Sequence, residues 1–90
     1  MRRIFTTARF EKRLKAFLSL HPDLSDEIEA TMIAMVEFPQ LPPGYRPHRL
    51  KGYLAGCYAI RLSYEYRIVF VPATGRITFI DIGTHDDVYR

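Results

Sequence analysis

The chain has 90 residues, of which 48% are hydrophobic and 26% are charged, and its formal net charge is +3. This length allows one domain with one modest core, which we expect to span residues 1–90, and the composition excludes a globally disordered chain. With one cysteine, Cys57, the sequence excludes an intrachain disulfide, and no Cys/His cluster has zinc spacing, so no metal is expected.

The sequence carries no targeting signal that we recognise. The N-terminal segment starts basic but lacks an uninterrupted apolar run, so we expect no signal peptide. No run approaches the length of a membrane span, so no membrane association is expected. The reducing cytoplasm is therefore the predicted location for a chain with a single cysteine.

Charge is distributed unevenly along the chain. Residues 1–22 carry six Lys/Arg against one Glu, and residues 23–38 carry five acids and no Lys/Arg. Residues 39–67 again carry five Lys/Arg against one Glu. Two basic segments therefore flank an acidic one, which favours a polyanionic partner or an acidic protein partner. On charge alone, an evenly solvated surface is an equal alternative.

The first half of the chain predicts a short strand followed by two helices. Residues 2–6 form the predicted strand, and a threonine at its end can cap a helix over residues 8–20. Apolar residues recur at helical spacing there and again over residues 24–38. Because proline disfavours the helical conformation at the residue before it, Pro22 separates the two helices. The short link predicts an antiparallel helical hairpin.

A proline-rich loop leads into a second half that consists mainly of strands. The predicted strands cover residues 48–51, 57–63, 66–72 and 76–83. The order β-α-α-β-β-β predicts an α+β fold, with the two-helix hairpin packed on one face of a small, mostly antiparallel twisted sheet. No helix remains to cover the other face, although the tail after Gly83 is long enough for one helical turn.

Two arginines stand in the middle of otherwise apolar strands. Alternation along these strands directs Ile60 and Ile68 toward the core, and Arg61 and Arg67 toward the uncovered face. Because arginine is rarely fully buried, that face is predicted to be an anion site, and the expected anion is RNA phosphate. For Arg67 the structural alternative is an ion pair with Asp81 or Glu65 across the sheet.

Four segments of the sequence, together with the order of elements, resemble one known family. The segments are L-K-G at 50–52, G-C-Y-A-I-R-L at 56–62, Y-R-I-V-F at 66–70 and D-I-G-T-H-D-D-V-Y at 81–89. They are similar to the RelE/ParE superfamily of bacterial toxins, and within it to the YafQ-like and RelE-like messenger-RNA endoribonucleases. The resemblance covers almost the whole chain, and the G-T-H-x-x-x-Y ending is its most specific part.

The resemblance implies a toxin of a type II toxin–antitoxin system. Such toxins cleave mRNA in the ribosomal A site without a metal or other cofactor, and a cognate antitoxin inhibits them. The implied partners are therefore the antitoxin, the ribosome and mRNA. The alternative is a ParE-like toxin, which shares the fold and inhibits DNA gyrase without being an enzyme. ParE-like toxins usually lack the histidine and tyrosine of the ending, and His85 and Tyr89 therefore favour the endoribonuclease.

The candidate site residues fall into two groups. The catalytic candidates are His48, Arg61, Glu65, His85 and Tyr89, and the candidates for binding RNA or phosphate are Arg49, Lys51, Tyr66 and Arg67. Arg61 stands where YafQ-like members have a histidine and RelE-like members an arginine, so the division of acid and base roles stays open.

These residue types suit metal-free cleavage of RNA, in which the 2′-hydroxyl attacks the adjacent phosphate. Histidine can transfer the protons because its reference pKa is about 6.5, and arginine can stabilise the charged phosphorane. Each candidate also has an ordinary alternative. His48 can be a surface histidine at a strand edge, Glu65 a turn residue and Tyr66 an aromatic that packs on the sheet.

Overall fold

The computed structural model describes residues 2–88, without the side chain of Tyr53, and within this range the chain forms strands, helices and two 3₁₀ turns. In chain order the elements are β1 (Arg3–Thr6), α1 (Ala8–Leu20), a 3₁₀ turn (Pro22–Leu24), α2 (Ser25–Met35), β2 (His48–Arg49), a second 3₁₀ turn (Gly52–Leu54), β3 (Tyr58–Arg61), β4 (Tyr66–Ala73), β5 (Arg76–Thr84) and α3 (His85–Val88). Each strand begins and ends within two residues of its predicted bounds.

The strands form one sheet in the order β1-β5-β4-β3-β2. Only β1 and β5 are parallel, and the other neighbours are antiparallel. Side chains of α1 and α2 pack on one face of this sheet and form the main core with the inward-facing strand residues. Its fully buried aromatic and aliphatic members include Phe10, Met35, Ile60, Ile68, Phe70, Ile77 and Phe79. The predicted α+β fold, with α1 and α2 on one face of a mostly antiparallel sheet, is therefore confirmed.

The second helix is shorter than the sequence predicts. It ends at Met35, whereas the helical pattern extends to Phe38. After Met35 the backbone N–H groups bond to carbonyls three residues back, as the Phe38 N–H does to the Met35 oxygen at 3.0 Å. Pro39 prevents the helix from continuing through Phe38, because its ring disfavours the α conformation at the preceding residue. The predicted end of this helix is wrong by three residues.

The second face of the sheet is covered at its centre, and the prediction of an uncovered face is wrong there. Val88 of α3 is buried against Ala59 and Val69, and Leu50 and Ile80 pack around them. The chain reverses after Gly83 and lays α3 across the strands. A single apolar residue in a polar tail has no periodicity, so the sequence pattern does not indicate this small second cluster.

The first helix also protects the exposed edge of β5. Because β1 pairs only with the segment from Arg76 to Phe79, the second half of β5 has no neighbouring strand on that side. There the Arg13 Nε donates to the Ile82 carbonyl oxygen at 3.4 Å and lies 2.7 Å from the Asp81 carboxylate. The guanidinium of Arg9 reaches the same carboxylate at 3.3 Å. These contacts give the Asp81 carboxylate and the Ile82 carbonyl partners at the free edge.

Candidate active site

The register of the strands places three candidate residues on the face opposite α1 and α2. Arg61 of β3 lies directly opposite Arg67 of β4, and Arg67 in turn lies opposite Gly83 of β5. His48 of β2 lies opposite Ala59, two residues before Arg61. Directly opposed residues share a face, and diagonal neighbours such as His48 and Arg61 lie about 7–8 Å apart. His48, Arg61 and Arg67 are therefore neighbours on one surface.

The two arginines have no ion-pair partner among the described residues. Arg61 is exposed and its Nε donates to the Tyr64 carbonyl oxygen at 3.3 Å, while half-buried Arg67 donates to the Glu65 carbonyl oxygen at 3.5 Å. Within residues 2–88, no carboxylate oxygen lies within 4.0 Å of either guanidinium. Asp81, one expected partner of Arg67, is bound by the arginines of α1 instead. The structural alternative for Arg67 therefore has no support in these contacts.

A reciprocal hydrogen-bonded cap holds the helical turn that carries His85. The Asp87 N–H donates to the Thr84 hydroxyl at 3.2 Å, and the Thr84 N–H donates to the Asp87 carboxylate at 3.1 Å. This arrangement is a capping box with Asp in place of Glu. His85 begins the turn with 63% of its side chain exposed, and its Nδ1 lies 3.7 Å from the Asp86 carboxylate.

Gly83 allows this turn to approach the sheet closely. A Cβ at Gly83 would lie 2.8 Å from the Cβ of Asp87 and 3.1 Å from the Arg13 guanidinium. Because Gly83 is opposite Arg67, the start of α3 lies beside the arginine pair. The sequence contains a signal for the helical turn of α3, namely the T-H-D-D capping pattern after the last strand. The single helical turn expected for the tail is present.

The remaining candidates are not all brought to this surface. Glu65 is exposed in the turn between β3 and β4, two residues before Arg67. Lys51 is exposed just after β2, but Arg49 lies opposite Tyr58, a residue of the main core, and therefore on the other face from His48. Tyr89 lies outside the described residues.

Tyr66 also belongs to the helix-covered face. Its ring packs edge-on against Phe17 with 4.8 Å between centroids, and its hydroxyl lies 3.1 Å from the Nε2 of His21. The ordinary alternative, an aromatic that packs on the sheet, describes this environment. The sequence could not indicate the contact with His21, because the two residues lie 45 positions apart with no shared pattern.

The family described as "Bacterial toxin of type II toxin-antitoxin system, YafQ" matches residues 2–90. The chain belongs to the YafQ toxin family. Among curated protein sequences, none matches this YafQ-family chain significantly.

Solved structures of related toxins share the fold of this YafQ-family chain. YafQ from E. coli strain BL21(DE3) superimposes with a TM-score of 0.82 at 18% identity, with 100% of both chains covered. The E. coli DinJ–YafQ toxin–antitoxin complex contains a chain that matches with a TM-score of 0.83 at 20% identity, covering 99% of this chain and 98% of that one. The YoeB dimer from Staphylococcus aureus matches with a TM-score of 0.77 at 20% identity, covering 93% and 97%.

The described part of this YafQ-family chain gives little support for a metal site, a cysteine nucleophile or a membrane span. No group of three or more His, Cys, Asp or Glu side chains within residues 2–88 is placed to hold a metal ion. Burial raises the pKa of the Cys57 thiol above its ordinary value, so the thiol stays protonated at neutral pH and is a poor nucleophile. Across the same residues, no helix is long and apolar enough to cross a membrane.

Proposed function

We propose that this YafQ-family toxin is a metal-independent endoribonuclease that cleaves mRNA on the ribosome and thereby inhibits translation in the cytoplasm. The observation that carries the proposal is the arginine pair. Arg61 and Arg67 lie directly opposite each other without a carboxylate partner in the described chain, on the surface that also carries His48. Two like charges at opposed strand positions destabilise a sheet, and a phosphate bound between them would offset their repulsion.

In the proposed reaction the RNA supplies its own nucleophile. A base removes the proton of the 2′-hydroxyl, the 2′-oxygen attacks the adjacent phosphorus, and the bond to the 5′-oxygen breaks. An acid protonates that leaving oxygen, so the products are a 2′,3′-cyclic phosphate and a 5′-hydroxyl end. The enzyme therefore needs a proton acceptor, a proton donor and a cation for the phosphorane.

We assign the candidate residues to these roles in proton transfer and phosphate binding. Arg61, with Arg67 opposite, holds the scissile phosphate and stabilises the phosphorane. His48, His85 and Glu65 are the groups for proton transfer, and which of them acts as acid or base stays open. Tyr89 stacks on a base or orients the phosphate. Lys51 is the assigned contact to the rest of the RNA, whereas Arg49 and Tyr66 lie on the other face of the sheet and are not assigned to it.

A cognate antitoxin is the proposed protein partner. The E. coli relative has been crystallised in a DinJ–YafQ toxin–antitoxin complex, and this chain has a net charge of +3 with two basic segments. We expect an antitoxin segment with acidic and apolar residues to bind the basic surface. Its affinity should fall as salt rises from 50 to 500 mM, because exposed ion pairs are screened. An affinity that does not depend on salt would contradict this expectation.

Cleavage by the Arg61→Ala and His85→Ala variants tests the proposed function. Primer extension on mRNA from programmed ribosomes should show cuts with 5′-hydroxyl ends for the wild-type protein. Each variant should lose roughly a hundred- to a thousand-fold in rate, the usual effect of removing one group that stabilises a transition state. Both side chains are exposed, so folding should persist. Undiminished cleavage by the double variant would reject the catalytic assignment of Arg61 and His85. Inhibition of gyrase supercoiling without RNA cleavage by the wild-type protein would reject the proposed function in favour of a ParE-like toxin.

A further inference from the structure

Tyr64 at the tip of the β3–β4 hairpin combines two unusual features. Its side chain is 71% exposed, and its backbone is in the left-handed region with φ of 61°. Turn positions with positive φ favour Gly, Asn or Asp, because a Cβ atom is strained in that conformation. A tyrosine is therefore a poor residue for the turn itself. Strained backbone of this kind is found preferentially at functional sites.

The exposed ring is held in place by its neighbours. It packs edge-on against Tyr66 at 6.1 Å between centroids, and Tyr66 is in turn fixed by His21 on the helical layer. The turn itself is tied to α2, because the Ser63 N–H and hydroxyl both donate to the Glu27 carboxylate. Tyr64 thus presents an aromatic surface to solvent with little freedom to collapse onto the protein.

The backbone of Tyr64 is also linked to the arginine pair. Its carbonyl oxygen accepts a hydrogen bond from the Nε of Arg61 at 3.3 Å. The Nη groups of that arginine have no described hydrogen-bond partner and remain available to an anion. The Tyr64 ring lies on the Tyr66 side of the hairpin tip, whereas its carbonyl oxygen faces Arg61, so a phosphate held by Arg61 would lie across the tip from the ring, about one nucleotide away. In single-stranded RNA the base next to a phosphate can turn outward and stack on such a ring.

We propose that Tyr64 stacks on a nucleobase adjacent to the phosphate bound by Arg61 and Arg67. This inference rests on the proposed endoribonuclease function and adds an RNA-binding residue to it. Every nucleobase has a π face, so stacking supplies affinity without strong sequence preference. The ring, rather than the hydroxyl, is the group that matters. Phenylalanine should replace tyrosine without loss, and a residue without a ring should not.

Replacement of Tyr64 by glycine separates this role from a structural one. Glycine removes the ring and also relieves the positive φ, so the Tyr64→Gly protein should be as stable as the wild type or more stable. Its kcat/KM for mRNA on programmed ribosomes should nevertheless fall about 5- to 150-fold, the loss expected for one stacked base. Tyr64→Phe should retain activity. Tyr64→Asn, which also tolerates positive φ, serves as a second variant without the ring.

The control is Phe5→Ala, which deletes another exposed aromatic ring. Phe5 lies on β1, separated from β3 by two strands, and contacts Arg76 instead. Its removal should leave kcat/KM unchanged. If Tyr64→Gly and Tyr64→Asn cleave RNA as well as the wild type, the inference is wrong. Loss of antitoxin affinity with unchanged cleavage would also overturn it, since Tyr64 would then contact the antitoxin.

A fluorescence measurement tests stacking independently of cleavage. The sequence contains no tryptophan, so Tyr64→Trp introduces a single reporter at the hairpin tip. Titration with a 2′-O-methylated single-stranded oligoribonucleotide, which cannot be cleaved, should quench its emission. RNA binding without quenching would reject stacking at this residue and leave the proposed function intact. A wild-type protein that neither binds nor cleaves RNA would instead reject the proposed function itself, and the inference with it.

Discussion

The Glu27 carboxylate on α2 accepts two hydrogen bonds from Ser63 in the β3–β4 turn, one from the N–H at 2.7 Å and one from the hydroxyl at 2.5 Å. The helical layer is thereby joined to the hairpin that carries the candidate catalytic residues. Arg61 and Glu65 each lie two positions from Ser63 along the chain. The anchor fixes the backbone from which the phosphate-binding and proton-transfer groups project.

Loss of this anchor should destabilise the protein measurably. Glu27→Ala removes the acceptor for both hydrogen bonds, and because both are partly exposed we expect unfolding to become easier by about 1–2 kcal/mol. Ser63→Ala retains the bond from the N–H and should cost less, about 0.5–1 kcal/mol. Urea unfolding measures both values. Glu29→Ala on the same helix is the matched control, and an equal effect at Glu27 and Glu29 would exclude the anchor.

The ion pairs of Asp81 should contribute unequally to stability. Arg13 approaches the carboxylate to 2.7 Å with 31% of its side chain exposed, whereas Arg9 remains at 3.3 Å with 61% exposed. Solvent screens the Arg9 pair more strongly, so Arg9→Ala should cost less than about 0.5 kcal/mol. Arg13→Ala also removes the bond to the Ile82 carbonyl and should cost about 1–2 kcal/mol.

Chemical denaturation of Arg9→Ala and Arg13→Ala measures which of the two arginines contributes more to stability. Asp81→Ala should cost at least as much as Arg13→Ala, because it removes both pairs and the bond that its carboxylate accepts from the Ile82 N–H. The reverse order, with Arg9 more important than Arg13, would contradict the geometry of this edge.

An added methyl group at Gly83 should displace the C-terminal turn. In Gly83→Ala the new Cβ would meet the Asp87 Cβ at 2.8 Å, a distance at which one of the two must move. Overpacking of this kind costs about 1–3 kcal/mol, and loss of the Val88 contacts adds to it. Thermal unfolding measures the change. The double variant Gly83→Ala, Asp87→Gly removes the colliding atom. It should therefore be more stable than Gly83→Ala, although Asp87→Gly by itself costs stability. A double variant no more stable than Gly83→Ala would refute the steric explanation.

Local patterns explain why so much of the fold could be predicted from the sequence. Alternation in the β3 and β4 segments assigns each side chain to a face, and the position of Arg61 and Arg67 on the same face follows from it. The N-terminal helix has both a capping threonine and an apolar stripe. These features depend on residues close together in the chain, so one sequence is enough to detect them.

Contacts between distant residues explain what the sequence could not indicate. Glu27 and Ser63 are 36 positions apart, and His21 and Tyr66 are 45 apart, and neither pair shares a motif or a period. The burial of Val88 depends on the path of the chain after Gly83, which a polar tail with one apolar residue does not specify. The true environment of Tyr66 and the cover on the second face therefore emerged only from the structure.

The opposed arginines predict a conflict between stability and activity. Like charges directly opposite each other on neighbouring strands are destabilising, by roughly 0.2–1 kcal/mol for such a pair. Replacing Arg67 by threonine, which is favoured in strands, should therefore raise the free energy of unfolding by about this amount. The gain should be larger at low salt, where repulsion is less screened. Cleavage should fall at the same time, because one of the two phosphate-binding groups is lost.

Arg49→Thr is the control for the stability measurement. Arg49 is also an exposed strand arginine, but it lies opposite Tyr58 and has no like charge across the strand pair. Its replacement should change the free energy of unfolding by no more than about 0.5 kcal/mol and with no marked salt dependence. If Arg67→Thr instead lost stability relative to this control, Arg67 would have a structural role in the sheet. The uncompensated pair would then no longer support a phosphate site.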